Sequence, residues 1–228
     1  STKQNPLQTR STYTNWFNYH IVDWRRIFGT NIRNNFNTCK IYWFQVTITL
    51  INTMSNFSNF PRNVLAEGAI MISLAVSLDF ISNILPSLPQ GGSFTLGAMV
   101  PILLFAIRRG VKYGIIIGVI FSIVKLAFNP PFIVSPIQFL LDYPLAFGAL
   151  GLAGLFPHNV VLAAAIGIFG RFTAHFISGI VWFSEYAPEG TPVPLYSAIY
   201  NGSYLTVEFL ISAVLLYFIW QRDFLKLK

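Results

Sequence analysis

A carboxylate, an imidazole and an amide interrupt stretches of sequence that otherwise suit lipid. Asp142 follows "FLL" in "LLDYPLAFGALGLAG", His175 stands in "RFTAHFISGIVWFSEYAPEG", and Asn201 lies in "LYSAIYNGSYL". An ionisable side chain inside an apolar span is costly, so it usually faces a cavity or a partner. Tyr143, Trp182, Phe183, Tyr196 and Tyr200 crowd the same stretches. Rings of this kind mark any membrane interface, but beside a carboxylate, a histidine and an amide they become candidate walls of a binding pocket. A second chemistry pairs His175 with Ser178, three residues on, as base and nucleophile of an intramembrane hydrolase. Against it, Ser178 is followed by Gly179 on a continuous helix with no recognisable oxyanion site.

The elements that position these residues follow from composition. The chain has 228 residues, of which 54% are hydrophobic and 10% charged, with a mean hydropathy of +0.58. Soluble domains carry about 25% charged residues, so this is a membrane protein. The net charge of +7 is split among short basic segments at helix ends, and no continuous stripe suits nucleic acid. Cys39 is the only cysteine, which excludes a disulfide framework or a cysteine-ligated zinc site within one chain.

Apolar segments fall at 65–85, 94–107, 111–128, 137–155, 159–182 and 199–220. Backbone polar groups in lipid must be satisfied internally, so the expected fold class is an all-α membrane protein of six transmembrane helices. The second is short and contains Gly97 and Pro101, and a kink or partial insertion is expected there. Alternation puts Arg62, the "RRGVK" turn (Arg108, Arg109, Lys112) and the tail (Arg222, Lys226, Lys228) on one side. The positive-inside rule makes that side cytoplasmic, with both termini inside. Asp142 then lies about one and a half turns below the outer end of helix 4, His175 about two turns below that of helix 5, and Asn201 at the outer start of helix 6. The three share one depth beneath an outward mouth.

Other polar residues divide between pairing and packing. Asp142 has a structural alternative, an ion pair with Arg171 or Lys125. Arg171 and Glu208 reach similar depth and are expected to pair; Asp79 and Glu67 stay open. Ala66, Ala69, Ser73 and Ser77 set small side chains on one face of helix 1, either for close approach of a partner helix or for internal packing. Residues 1–53 differ from the rest, being rich in Asn and Thr and devoid of Ala and Glu. They are expected to be a leader or extension before a start at Met54, with 54–228 as the transmembrane domain. The strand-like run at 41–51 is too short to span a bilayer as a helix.

"EGAIMISLAVSLDFI", "GGSFTLGAMVPILLFAIRRGVKYGIIIG", "LLDYPLAFGALGLAG", "RFTAHFISGIVWFSEYAPEG" and "LYSAIYNGSYL" are collinear blocks over 54–228. In them the chain resembles the thiamine-specific substrate-binding (S) components of energy-coupling factor (ECF) transporters. The resemblance implies a six-helix S-component fold that binds thiamine from outside with high affinity. Such a subunit docks on a transmembrane coupling subunit and two ATPases. It also implies ligand contacts at Asp142, Tyr143, His175, Tyr196 and Asn201, and a docking stripe at Ala66, Ala69 and Ser73, where Ser73 replaces the usual alanine. Asp142 is one methylene shorter than the glutamate of some members, and the loop 85–93 lacks an aromatic lid. The stacking ring is either Trp182 or Phe183. His175, Ser178 and Trp182 share one helix face, which favours Trp182, unless the helix unwinds before "SEYAP" and turns Phe183 inward. Thiamine chemistry agrees: its thiazolium is a permanent cation that a carboxylate and ring faces attract. No resident cofactor is expected. No "GxxxxGK[ST]" occurs, so ATP would be used by the partner subunits. The same scaffold with another vitamin is the nearest alternative.

Overall fold

In a computed structural model, the structure describes residues 61–222 except 83, 85–87, 89–91 and 129–130. The leader expected at 1–53, the start at Met54, the run at 41–51 and the basic tail residues Lys226 and Lys228 lie outside the described residues. The described part is all-helical: α1 Arg62–Ser82, α2 Val100–Arg109, α3 Val111–Phe128, a composite α4 Pro136–Leu155, α5 Val160–Trp182 and α6 Val193–Gln221. Among them α1, α3, α4, α5 and α6 are long and apolar enough to cross a membrane.

α2 departs from a sixth full-length span. It has ten residues, which rise ~15 Å against a hydrocarbon core of ~30 Å. Val100, Pro101, Ile102, Leu103, Phe105, Ala106 and Ile107 are all buried, so α2 is enclosed by the other helices rather than facing lipid. The chain before it is not helical, and two of its backbone N–H groups and the Thr95 hydroxyl find partners on neighbouring side chains. Leu96 N donates to Ser82 Oγ at 2.8 Å, Met99 N reaches Glu208 Oε1 at 3.4 Å, and Thr95 Oγ1 donates to Glu208 Oε2. Irregular backbone is tolerated at membrane depth only when protein supplies such partners.

That role corrects the expected Arg171–Glu208 pair. Glu208, 2% exposed, faces the Thr95–Met99 segment, while Arg171 turns to His175 and to the Met99 sulfur. Lys125 of α3 pairs with Asp79 of α1, so Lys125 is not the partner of Asp142 either. Glu67 accepts from Arg108 Nε and Arg109 Nε, both at 2.7 Å. This pins the start of α1 to the end of α2.

α3 and α4 meet backbone to backbone. A Cβ on Gly151 would overlap the main-chain nitrogen of Ile115, so only glycine fits this crossing. Gly151→Ala is therefore expected to lower stability by about 1 to 3 kcal/mol, read as a fall in the Tm of the detergent-purified protein. An unchanged Tm would contradict this close approach.

Candidate functional site

Helix α4 is not uniformly α. Pro136–Leu140 is α-helical, Leu141–Leu145 is a π-helical turn containing Pro144, and Leu150–Leu155 tightens to a 3-10 helix. Proline has no N–H to donate to the carbonyl four residues back, and the wider turn absorbs that missing bond. π-turns of this kind cluster at functional sites, and this one holds Asp142 and Tyr143. Helix α5 ends at Trp182, and Phe183 leaves it with φ −118° and ψ 19°. Helix α6 begins at Val193, with Pro194 in its first turn, where a missing N–H costs nothing. Asn201 consequently sits about two turns inside α6, a correction to its expected place at the helix start.

These elements enclose a cavity with about 750 Å³ of space between atoms, its open mouth included. Asp142, Tyr143, His175, Phe183, Tyr196, Tyr200 and Asn201 all line it. Trp182 does not. The helix unwinds one residue after it and turns Phe183 inward, which corrects the helical-face argument for Trp182.

Asp142 is the centre of the polar floor. Its Oδ2 accepts from Gln138 Nε2 at 2.6 Å and Ser178 Oγ at 2.8 Å, and its Oδ1 lies 2.9 Å from His175 Nδ1. Arg171 Nε donates to His175 Nε2 at 3.2 Å. A guanidinium can only donate, so Nε2 must accept and the ring proton must sit on Nδ1, facing Asp142. His175 is thus a neutral spacer between an arginine and a carboxylate. Arg171 is 7% exposed and stacks over Phe147, 4.2 Å from the ring centroid. Ser178 gives its hydroxyl proton to Asp142 rather than to His175, which is not the geometry of a nucleophile and its base.

Asn201 joins α5 to α6. Its Nδ2 donates to the carbonyls of Ser197 at 3.0 Å and His175 at 3.3 Å, and its Oδ1 accepts from the Tyr204 hydroxyl at 2.9 Å. A Cβ on Gly179 would overlap Ser197 Oγ, so glycine there permits this approach. The aromatic rim comprises Phe132 against Phe183 at 5.9 Å between centroids and Tyr196 against Tyr200 at 6.0 Å. The hydroxyls of Tyr143 and Tyr200 accept from the backbone nitrogens of Phe132 and Gly92, each at 3.0 Å.

Sequence reading missed Phe132, Gln138 and Tyr204 as cavity residues, and took Ser178 only as a nucleophile. Gln138 lies four residues before Asp142, a spacing that puts both on one helix face. Phe132 follows two prolines in "NPPFIVSP" and carried no helical period. On α1, by contrast, Ala66, Ala69, Ser73 and Ser77 are exposed, so the small stripe is not internal packing. The Ser73 and Ser77 hydroxyls donate to the carbonyls of Ala69 and Ser73, at 2.9 and 2.8 Å, leaving a smooth face.

Residues 65–226 match the family model described as thiamine transporter protein (Thia_YuaJ). Thiamine transporter ThiT of Bacillus subtilis (strain 168) is 41% identical over 168 residues, covering 67% of this chain and 87% of that protein. Thiamine transporter ThiT of Lacticaseibacillus paracasei is 33% identical over 159 residues, covering 61% and 77%. A solved structure of ThiT from Listeria monocytogenes superposes with a TM-score of 0.62 at 23% identity, covering 70% of this chain and 94% of that one. That likeness is one of fold.

The Arg171–His175–Asp142 chain generates a direct test. Nitrogen NMR of labelled protein, with His175→Gln to assign the signal, should show His175 as the neutral tautomer with its proton on Nδ1. A proton on Nε2 alone would refute the arrangement.

Proposed function

This chain belongs to the thiamine transporter protein family, and from that premise we propose that it is the high-affinity thiamine-binding S component of an ECF-type importer. One observation carries the reading. The Asp142 carboxylate stands in an aromatic-lined cavity, and the groups bonded to it are an amide, a hydroxyl and a neutral imidazole. None of them is a cation, so its charge is left for a ligand, and the thiazolium of thiamine is a permanent cation. Phe183 supplies the ring that the cation stacks on, with Tyr143, Tyr196 and Tyr200 completing the wall. His175 and Asn201 meet the aminopyrimidine; Asn201 Oδ1 keeps a second lone pair beyond the one engaged by Tyr204. Trp182, outside the cavity, has no part in this reading.

The site faces outside, and both ends of the domain are cytoplasmic. Supporting this, the exposed or half-buried Arg62, Arg108, Arg109, Lys112 and Arg222 gather at the ends of helices opposite the cavity mouth, as the positive-inside rule requires. α2 with its irregular lead-in completes the six-helix topology as a partial crossing. The chain has no P-loop, so energy comes from two ATPase subunits through a transmembrane coupling subunit. The exposed stripe Ala66, Ala69 and Ser73 is the docking face for that subunit, because small side chains let helix backbones approach closely.

Two measurements test the halves of this proposal. Asp142→Asn keeps size and removes charge, and should weaken thiamine binding by about tenfold or more in a calorimetric titration; unchanged affinity would detach Asp142 from the ligand. Ala69→Trp should leave thiamine binding intact while abolishing uptake by cells, since bulk on the stripe blocks helix approach without reaching the cavity. Normal uptake by this variant would remove the stripe from the docking face.

A further inference from the structure

Gln138 is 1% exposed, near the start of α4, and its side-chain amide makes three hydrogen bonds. Nε2 donates both to Asp142 Oδ2 at 2.6 Å and to the Phe132 carbonyl at 3.1 Å, while Oε1 accepts from Val134 N at 3.0 Å. The assignment of oxygen and nitrogen is forced. Asp142 and the Phe132 carbonyl are both acceptors, so only the NH2 group can face them, and the Val134 N–H needs the oxygen. The Phe132 N–H goes to Tyr143, the residue after Asp142. A loop residue at the cavity mouth, 38% exposed, thus has both its main-chain polar groups held by side chains of α4. The short segment it belongs to is further stiffened by Pro131 and Pro136, which fix their own φ angles.

We propose that Gln138 is a positioning residue that sets the cavity carboxylate and the mouth loop as one unit, so that the anion and the Phe132 ring are presented together to a cationic ligand. This rests on the thiamine-binding reading and deepens it. The amide does two things at once. Its N–H orients Oδ2 and leaves the His175-facing oxygen in register, and its remaining donor and acceptor fix the loop on which Phe132 lies against Phe183. Gln138 itself acts through Asp142 and Phe132. A hydrophobic residue of similar volume would fill the same space and lose all three bonds.

The experiment is a double-mutant cycle read with two ligands: thiamine, and its deaza analogue in which a neutral thiophene replaces the thiazolium. Gln138→Leu should weaken thiamine by about tenfold and the neutral analogue much less, because the misplaced group is an anion. Phe132→Ala should cost thiamine several-fold in the wild-type background, and about twofold or less once Gln138 is Leu, because coupled residues are non-additive. Equal losses for both ligands, or a Phe132→Ala effect of the same size in both backgrounds, would overturn the coupling and leave Gln138 as packing. Should Gln138→Leu fail to fold, Gln138→Asn keeps an amide too short to reach both partners and makes the same comparison. A wild-type protein that does not bind thiamine ends the thiamine reading itself. Wild-type binding with an unaltered Gln138→Leu ends only this inference.

Discussion

Holding a carboxylate within a membrane domain without giving it a cation is the constraint on which this structure turns. Salt-bridged, Asp142 would be neutralised and useless as a charge; bare, it would be too costly to keep. Three neutral donors resolve the conflict, and each comes from a position the fold must deliver. Gln138 lies one turn before Asp142 on α4, while His175 and Ser178 come from one face of α5. Arg171 stands behind His175 and takes its Nε2, so a positive charge is near the carboxylate without contacting it. The close approach of α5 to α4, where Gly167 and Gly170 pack on Leu150 and Ala149, keeps the α5 donors in reach.

The other charged residues of the helices follow a different rule. Lys125 with Asp79, and Arg108 and Arg109 with Glu67, are paired directly and tie α1 to α3 and α2. Glu208 is a third case, a carboxylate spent on the backbone and hydroxyl of the irregular chain before α2. A short buried helix with a non-helical lead-in requires such a residue, since lipid offers no hydrogen bonds. Among the described residues, charge thus staples helices at Glu67 and Asp79 and satisfies backbone at Glu208, while the groups bonded to Asp142 are neutral.

Much of this was legible in order of residues alone. The long apolar runs marked five of the helices, and Asp142, His175 and Asn201 stood out because their types are expensive in such runs. Expectation failed where backbone geometry departs from a uniform helix. Periodicity assumed that α5 persists, which favoured Trp182, whereas the helix stops and Phe183 turns in. The early start of α6 was hidden by the polar, proline-rich run before it, which moved Asn201 inward. Arg171 and Glu208 were matched by depth, but depth gives no azimuth, and each found a nearer partner. Gln138 was overlooked because an amide near a loop reads as surface, although its place four residues before Asp142 was visible.

The π-helical turn at Leu141–Leu145 carries a consequence for how this chain can diverge. A π-turn is in effect one residue more than an α-helix needs over the same rise. Removing a single residue there would restore regular α winding, leave the flanking turns nearly where they are, and redirect the side chains of the turn itself, Asp142 and Tyr143 among them. The cavity carboxylate would leave its donors without any site residue having changed identity. For this chain, the length of that segment therefore sets the direction of the carboxylate as much as the letters in it do. A one-residue gap there would signal a lost or altered specificity that a comparison of site residues alone would pass over.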